Sequence, residues 1–467
     1  MSLHSKDLTL EEAAARFIHD FDRASIRAEA LNAAQLILKD QLSIQIGVSQ
    51  LPWSRNARSY VEHIRRPGEA TVVADRVRMD AASAAFVNAC YGHGFEYDDI
   101  HRASWGHPGC CVVPTALAVG EELNASLGDI LDAIVVGYEV YTRIGMLAGD
   151  SLLRRGWHPH AILANFGSAA IAARLWKLDL ERSLHALAIA SSHASGITEY
   201  SSTGGSVKRV HAGMGVRNGV ASAGLARSGI TGPRRFLTGN KGFYNTFVQM
   251  KIGPEAAVDF ALDRKLQIEH PWLKPYCACG ATHPFIDAMR QVISKPSDIE
   301  RIELRIQSKT DSIVGSKNAN NFAPRNIEEL QFSLSVQIAL ALLGKGNGYR
   351  IHRDFLNGAV DLAPKSELLD LAGKVQMTVS KDLDVRFPGK LVADVTIIDK
   401  HGHRQSIFVE DSKGTPENPF SVAELDSKAR ELCEDVIGAS RTDKLFHTIL
   451  DFDQDAPVRS LTDLLQK

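Results

Sequence analysis

Between Leu8 and about Val248 the chain is a succession of segments in which apolar residues recur every three or four positions. That spacing places them on one face of an α-helix. It predicts helices at residues 10–21, 80–91, 115–124, 130–147 and 161–175. The last of these carries small residues on one face, at Ala161, Ala164, Ser168 and Ala172. Because small side chains let a neighbouring helix approach closely, this part is predicted to be a tightly packed α-helical domain.

The pattern changes near Pro271. Ile302, Leu304 and Ile306 alternate with charged residues, which is the period of a half-buried β-strand. Residues 392–398 lead through a turn at 399–402 into 406–409, which predicts two more strands, and the apolar residues 330–343 predict a helix. Residues 270–410 are therefore predicted to be a smaller α+β domain inserted as a lid.

Helical spacing returns beyond Pro419, at residues 422–432 and 441–450. The tail is predicted to pack back on the first domain, so that residues 1–269 and 411–467 form one large helical domain. The predicted fold class is mostly α. The border between this domain and the lid is where we expect a pocket.

The composition narrows the possible partners. The 467 residues suffice for two or three domains, and 53 Lys plus Arg against 55 Asp plus Glu leave a net charge of −2. That balance offers no field for nucleic acid or an anionic membrane, so we expect neither partner. No apolar run approaches the ~20 residues of a membrane span, and no secretory signal is recognisable. The six cysteines have spacings that suit neither a disulfide framework nor a usual zinc site, so a cytoplasmic protein is expected.

Carboxylates and imidazoles are concentrated between Glu96 and His107. Asp98, Asp99 and His101 lie between them, and His107 opens a His-Pro-Gly turn. Such a set can supply a general acid, a general base and their orienting partners. The alternative is that the two aspartates cap a following helix and that His101 is solvated.

A second segment, Trp157-His158-Pro159-His160, precedes the predicted 161–175 helix. Proline at a first-turn position places His158 at the positive end of that helix, where an anionic group is favoured. A surface histidine with a structural role is the alternative. The His158 and His160 pair has no third ligand at a helical offset, so no metal is expected.

A third segment, STGGSVKRVHAG, delivers Lys208, Arg209 and His211 from a Gly-rich turn. Ammonium and guanidinium groups make short, charge-assisted hydrogen bonds to carboxylates. The segment lacks the frame of a nucleotide-binding loop. Lys208 is therefore predicted to hold a substrate carboxylate and Arg209 and His211 to assist it, although one or two of the three could instead pair with Asp or Glu.

The fourth segment runs from Lys274 to His283 and contains Cys277 and Cys279. His283 precedes Pro284 and a predicted helix at 284–292, which repeats the arrangement at His158. Two cysteines are too few for an iron–sulfur cluster.

In this order the segments resemble the MmgE/PrpD family, which contains 2-methylcitrate dehydratase, cis-aconitate decarboxylase and iminodisuccinate epimerase. The resemblance is carried by FEYDDIH with GHPGCCVVPTALAVGEEL, GWHPHAILANFGSAAIAARL, TGGSVKRVHAGMGVRNGVASAGLA, ITGPRRFLTGNKGFYNTF, KPYCACGATHPFIDA and NPFSVAEL. It implies a helical domain with an α+β lid, a homodimer, no metal, no iron–sulfur cluster and no other cofactor. The site residues that it implies are the acidic segment beginning at Glu96, His107, His158, Lys208 and His283.

Two departures bear on the substrate. This chain has Glu96 and Ile100 where the decarboxylase-like pattern has Asp and Thr, so a hydroxyl is replaced by an apolar group. We therefore expect a lyase that dehydrates a small hydroxylated di- or tricarboxylate. Its catalytic set would be Glu96, Asp98, His107, His158, Lys208 and His283, with Asp99, Arg209, His211 and Lys274 binding substrate. The alternatives are an epimerase or isomerase, a decarboxylase of a related carboxylate, and an inactive homologue that serves as a binding protein.

Overall fold

The structure is a computed structural model that describes residues 8–260, 265–316, 318 and 321–467. Its α-helices in chain order are α1 (Leu10–Asp20), α2 (Ala28–Val48), α3 (Pro52–Glu62), α4 (Ala81–His93), α5 (Gly109–Leu123), α6 (Leu127–Met146), α7 (Gly149–Arg154), α8 (Pro159–Leu175), α9 (Leu180–His193), α10 (Tyr200–Thr203), α11 (Lys208–Arg227), α12 (His283–Met289), α13 (Ser308–Val314), α14 (Ile327–Gln331), α15 (Leu334–Leu342), α16 (Tyr349–Leu356), α17 (Glu367–Ala372), α18 (Lys381–Asp384), α19 (Val422–Ile437), α20 (Ala439–Leu450) and α21 (Arg459–Thr462). The strands are β1 (Ala70–Thr71), β2 (Arg78–Met79), β3 (Ile299–Ile306), β4 (Val375–Val379), β5 (Ala393–Asp399) and β6 (Arg404–Val409). Short 3₁₀ turns lie at Arg23–Ser25, Arg102–Ser104, Pro254–Phe260, Gln267–Glu269, Gly280–Thr282, Pro296–Asp298 and Asp463–Leu465, and a π-helical turn at Tyr244–Val248. The fold is mostly α, as predicted.

The chain divides into two compact units. The helical unit comprises residues up to Pro271 together with Leu432–Lys467, and the second unit is Trp272–Glu431. The return to the helical unit therefore lies inside α19 rather than at residue 411. The physical reason is that 411–418 is bonded within the second unit: the Leu273 N–H donates to the carbonyl of Gly414, and the Lys413 N–H donates to the Asp287 carboxylate.

Helix α8 is buried along nearly its whole length in the helical unit. A Cβ atom added at Gly215 of α11 would lie 2.6 Å from that of Ala164, and one at Gly219 would lie 2.6 Å from that of Ser168. Separations this short mean that glycine lets the α11 backbone lie directly on α8. The prediction of close helix contacts on the small-residue face of α8 is confirmed.

The second unit contains a four-stranded sheet in the order β4-β3-β5-β6, with β3 parallel to β4 and the other pairs antiparallel. Ile302, Leu304 and Ile306 are buried on one face of β3. The three predicted strands are confirmed as β3, β5 and β6. Strand β4 was not predicted because only Val375 of its five residues is buried.

Two predicted helices have different bounds. The expected helix at 330–343 is interrupted after Gln331, and α15 begins after Ser333, whose hydroxyl accepts the N–H of Val336. Helix α5 begins at Gly109 rather than at 115 and contains Pro114 in its interior. The Asp99 carboxylate accepts the N–H of Gly109, and this cap starts the helix before the proline. None of the helices in the described part of the chain combines the length and the apolar composition that a membrane span requires.

Candidate active site

Four helix termini of the helical unit bring a group of histidines together. Helix α4 ends at His93, α5 begins two residues after His107, and α8 begins beside His158 and His160. The ring centroid of His93 lies 4.2 Å from that of His160 and 5.1 Å from that of His107. His158 lies 5.1 Å from His211, which belongs to the first turn of α11. Segments separate in sequence thus contribute to one cluster of imidazoles.

His107 has a defined tautomer because of its backbone partner. Its Nδ1 lies 2.8 Å from the carbonyl oxygen of Asp99. A carbonyl can only accept a hydrogen bond, so Nδ1 carries the proton and the lone pair of a neutral ring lies on Nε2. The Oδ2 atom of Asp98 lies 3.6 Å from the same Nδ1, where it stabilises a positive charge on the ring. This arrangement suits His107 to accept a proton at Nε2.

Asp98 also orients a histidine that was not singled out from the sequence. Its Oδ2 lies 2.7 Å from Nδ1 of His93, and both side chains are fully buried. This bond holds the proton on Nδ1 of His93 and leaves Nε2 with the lone pair. The prediction that the acidic segment orients an imidazole agrees with this geometry, but the closest partner of Asp98 is His93 rather than His107.

His158 and His211 form a direct pair. Their Nδ1 atoms lie 2.8 Å apart, so one ring donates and the other accepts, and at least one is neutral. Burial lowers the pKa of His158 well below its usual value, and the nearby His93 lowers it further. Burial, then His93 and Lys208, lower the pKa of His211 to about 4. Both rings are therefore neutral at neutral pH, and His158 is buried rather than a surface residue.

Lys208, the first residue of α11, is paired with the carboxylate of Glu96. Glu96 has a backbone φ of 55°, a left-handed conformation that is rare outside glycine. Non-glycine residues in this region concentrate at functional sites. The predicted carboxylate-binding lysine thus lies against a carboxylate of the chain itself.

Three other predicted residues are occupied by structural contacts. The guanidinium of Arg209 stacks 3.6 Å above the Trp53 ring and donates to the carbonyl of Gly94, which favours a structural role. Both carboxylate oxygens of Asp99 lie within hydrogen-bonding distance of the Gly109 N–H, so the helix-capping alternative describes this aspartate. His101 is buried rather than solvated, with bonds to Ser104 and Gln267.

Lys274 and His283 lie in the second unit, and both are fully buried. Nε2 of His283 lies 3.1 Å from the carbonyl oxygen of Ala278, and its ring packs edge-on to Tyr276. Burial, and then the charge of Lys274, lower the pKa of His283 to about 3. A shared site with the histidines of the helical unit stays a prediction for these two residues.

The N-terminal domain of the MmgE/PrpD family matches residues 12–253, and its C-terminal domain matches residues 276–452. The chain belongs to the MmgE/PrpD family. A cis-aconitate decarboxylase-like protein of Aspergillus oryzae is 25% identical over 96% of this chain and 95% of its own length. The cis-aconitate decarboxylase of Aspergillus terreus is 24% identical over 94% and 92%. The human cis-aconitate decarboxylase is 31% identical over 49% of this chain and 50% of its own length.

In this MmgE/PrpD chain the sequence pointed to His107, His158 and Lys208 but not to His93 or Tyr141. His93 stands five residues before Asp98 across a helix end, a spacing with no regular geometry. The Tyr141 hydroxyl accepts the N–H of His107 and lies 2.9 Å from Nδ1 of His160. Tyr141 belongs to the buried face of α6 and is indistinguishable in the sequence from a core residue.

The fold also brings together donor atoms that a metal ion could use. His93, Cys110 and His160 form one such set, and His93, Asp98 and His107 form another. The sequence predicts no metal because His158 and His160 have no third ligand at a helical offset along the chain. Helices α4 and α5 supply such donors, and the expectation of a metal-free enzyme stays a prediction.

Proposed function

We propose that this chain is a lyase that acts on a small di- or tricarboxylate, and that it dehydrates a hydroxy acid as 2-methylcitrate dehydratase does. Membership of the MmgE/PrpD family and the decarboxylase relatives, which are also lyases, support the reaction class. The observation that carries the proposal is the arrangement of His107, whose Nδ1 is held by a carbonyl while Asp98 lies 3.6 Å away. This is the geometry of a general base.

Lys208 would bind a substrate carboxylate adjacent to the carbon that loses its proton. Its ammonium stabilises the negative charge that develops on that carboxylate as the C–H bond breaks. In the structure this position is taken by Glu96. A bound substrate would therefore exchange one carboxylate for another at Lys208, so that the partly buried ammonium keeps a negatively charged partner.

The proton would pass to Nε2 of His107 as the carbon–carbon double bond forms and the carbon–oxygen bond breaks. The leaving hydroxide needs a proton, and the neutral His158 and His211 are poor acids. The imidazolium of His107 can return its proton to the hydroxide, which leaves as water. One group serving both steps implies that hydrogen and hydroxyl leave from the same face of the substrate.

Decarboxylation of cis-aconitate is the second candidate, and the relatives from Aspergillus and human support it. In that reaction the carbon–carbon bond to a carboxylate breaks and His107, in its protonated form, supplies the proton. Ile100 in place of the threonine of the decarboxylase-like pattern favours dehydration. Measured release of CO₂ separates the two, because dehydration releases none.

The test is turnover of the purified chain with citrate, methylcitrate, aconitate, tartrate and aspartate-like acids, with products identified by mass spectrometry. His107→Ala, Lys208→Ala and His283→Ala should each lower turnover by ~10²–10⁴-fold. His63→Ala, at an exposed histidine of the helical unit, is the control and should retain activity. Near-normal turnover in all three variants would refute the site.

Two other outcomes identify the alternatives. Exchange of the α-hydrogen in deuterated water without an alkene product would identify an epimerase. A rise in melting temperature with a carboxylate, and no product from it, would identify an inactive homologue that binds the ligand.

A further inference from the structure

Three buried residues from three helices place soft donor atoms together. His93 ends α4, Cys110 lies in the first turn of α5, and His160 lies in the first turn of α8. One donor atom from each lies within 4.8 Å of the other two. Nε2 of His160 is 3.6 Å from Sγ of Cys110. Zinc bonds of about 2.0–2.3 Å in tetrahedral geometry separate donors by roughly 3.5 Å, so one pair already has the required spacing.

The second nitrogen of each imidazole is held by an outer partner. Nδ1 of His93 lies 2.7 Å from Oδ2 of Asp98, and Nδ1 of His160 lies 2.9 Å from the Tyr141 hydroxyl. Histidines that bind zinc commonly donate their other ring N–H to a carboxylate or another oxygen, which fixes the ring and raises its basicity. Nε2 of His93 can therefore bind an ion with its outer contact unchanged. Nε2 of His160 can do so once the Tyr141 hydroxyl turns to accept the Nδ1–H of that ring.

The charges of the three donor residues and of Asp98 also suit a divalent cation. Neutral imidazoles contribute no charge, whereas the Cys110 thiolate and the Asp98 carboxylate contribute one negative charge each. Together they balance a doubly charged ion, and a buried ion requires such compensation. Binding breaks the S–H bond of Cys110 and forms a metal–sulfur bond. The proton leaves to solvent and nothing is oxidised.

We propose that His93, Cys110 and His160 form a binding site for Zn²⁺, and that filling it stops turnover. The binding site follows from the donors alone, and the inhibition rests on the proposed function. Asp98 and Tyr141, which would orient the zinc ligands, also contact His107. The thiol of Cys110 donates to the His107 carbonyl, a bond that is lost when the thiolate binds metal. An ion at this site therefore changes the hydrogen bonds that surround His107, the proposed base.

The binding experiment uses the full chain, freed of metal by a chelator and titrated with Co²⁺ as a spectroscopic probe. Wild type should show a thiolate-to-cobalt charge-transfer band, which one equivalent of Zn²⁺ abolishes. Cys110→Ser should lack the band. Cys111→Ser is the matched control, since its sulfur is 3.8 Å from the same His160 nitrogen, and it should keep the band. Asp98→Asn should bind Zn²⁺ ~10–100-fold more weakly than wild type.

Absence of the band in wild type would overturn the site, and so would an unchanged band in Cys110→Ser. Circular dichroism and the melting temperature establish that Cys110→Ser is folded. Should it fail to fold, His93→Gln provides the same test, and unaltered Zn²⁺ affinity in that variant would overturn the site. These measurements need no substrate, so they stand even if the proposed reaction is wrong.

The inhibition is measured separately, as the ratio of turnover with and without Zn²⁺ for each chain. That ratio should fall in wild type and in Cys111→Ser and stay near one in Cys110→Ser. Zinc that binds without lowering turnover would refute the inhibitory role and leave the binding site intact.

Discussion

His101 should make the helical unit less stable in mild acid. The side chain is 4% exposed, and the backbone N–H of Ser104 donates to Nδ1 while Nε2 lies 3.3 Å from the Gln267 side-chain oxygen. Protonation of Nδ1 would remove the acceptor of the Ser104 N–H and place a charge in a dehydrated interior. Burial accordingly lowers the pKa of His101 to about 4.

The expected size follows from the difference between the folded and unfolded chains. In the unfolded chain this histidine titrates near its ordinary pKa of about 6.5, so in acid the unfolded state binds the proton first. The stabilising contribution is complete above pH 6.5 and is lost as the pH falls toward 4, at about 1.4 kcal/mol per pH unit. At pH 5 His101 should therefore lower the free energy of unfolding by about 2 kcal/mol relative to pH 8.

The assay is urea unfolding of wild type and His101→Gln at pH 8 and pH 5, followed by tryptophan fluorescence. Glutamine does not titrate, so its packing cost is equal at both pH values and cancels in the difference between them. The loss of stability from pH 8 to pH 5 should be about 2 kcal/mol smaller in His101→Gln than in wild type. His63→Gln should behave as wild type because its exposed ring is hydrated in both states. An equal acid-induced loss in His101→Gln and wild type would refute the reasoning.

Three further predictions concern packing. Gly219→Ala should lower the free energy of unfolding by ~1–3 kcal/mol, because the new Cβ would lie 2.6 Å from that of Ser168 on α8. In Gly224→Ala on the same helix the new Cβ would lie 3.9 Å from the Trp176 ring, an ordinary van der Waals distance, and the change should stabilise by ~0.5–1 kcal/mol. Equal effects of the two substitutions in urea unfolding would contradict both predictions. Arg209→Lys should lower the free energy of unfolding by ~2–4 kcal/mol in the same assay, because lysine cannot both stack on Trp53 and make the buried hydrogen bond to Gly94. An unchanged free energy of unfolding would return Arg209 to the substrate-binding candidates.

The helical domain was predictable because its signal is local and repeated. Periodicity over one helix is enough to identify α1, α4, α6 and α8, and the small residues of α8 indicated how closely a neighbour could lie. Strand β4 gave no such signal because it is short and mostly exposed. Its hydrogen bonds come from β3, which is about 70 residues distant in the chain.

The candidate site was predictable only where a functional residue stands beside a recognisable local sequence motif. His158 precedes Pro159 and a helix, and Lys208 follows a glycine turn, so both could be recognised from adjacent residues. Only contacts between different helices identify three other residues as part of the site, namely His93, Tyr141 and Cys110. A sequence periodicity that marks all three as core residues contains no information on which polar atoms meet there.

Burial also explains why, in the proposed mechanism, His107 is a better proton acceptor than His158 or His160. Burial lowers the pKa of His158 and His160 well below the usual value, and each ring is further disfavoured as a cation by its imidazole neighbours. A proton on either would place a charge among other imidazoles with little compensation. The side chain of His107 is 16% exposed, and Asp98 lies 3.6 Å from its Nδ1. In the proposed mechanism a proton drawn from substrate is therefore held at His107, the one ring of these three that combines access to solvent with an adjacent carboxylate.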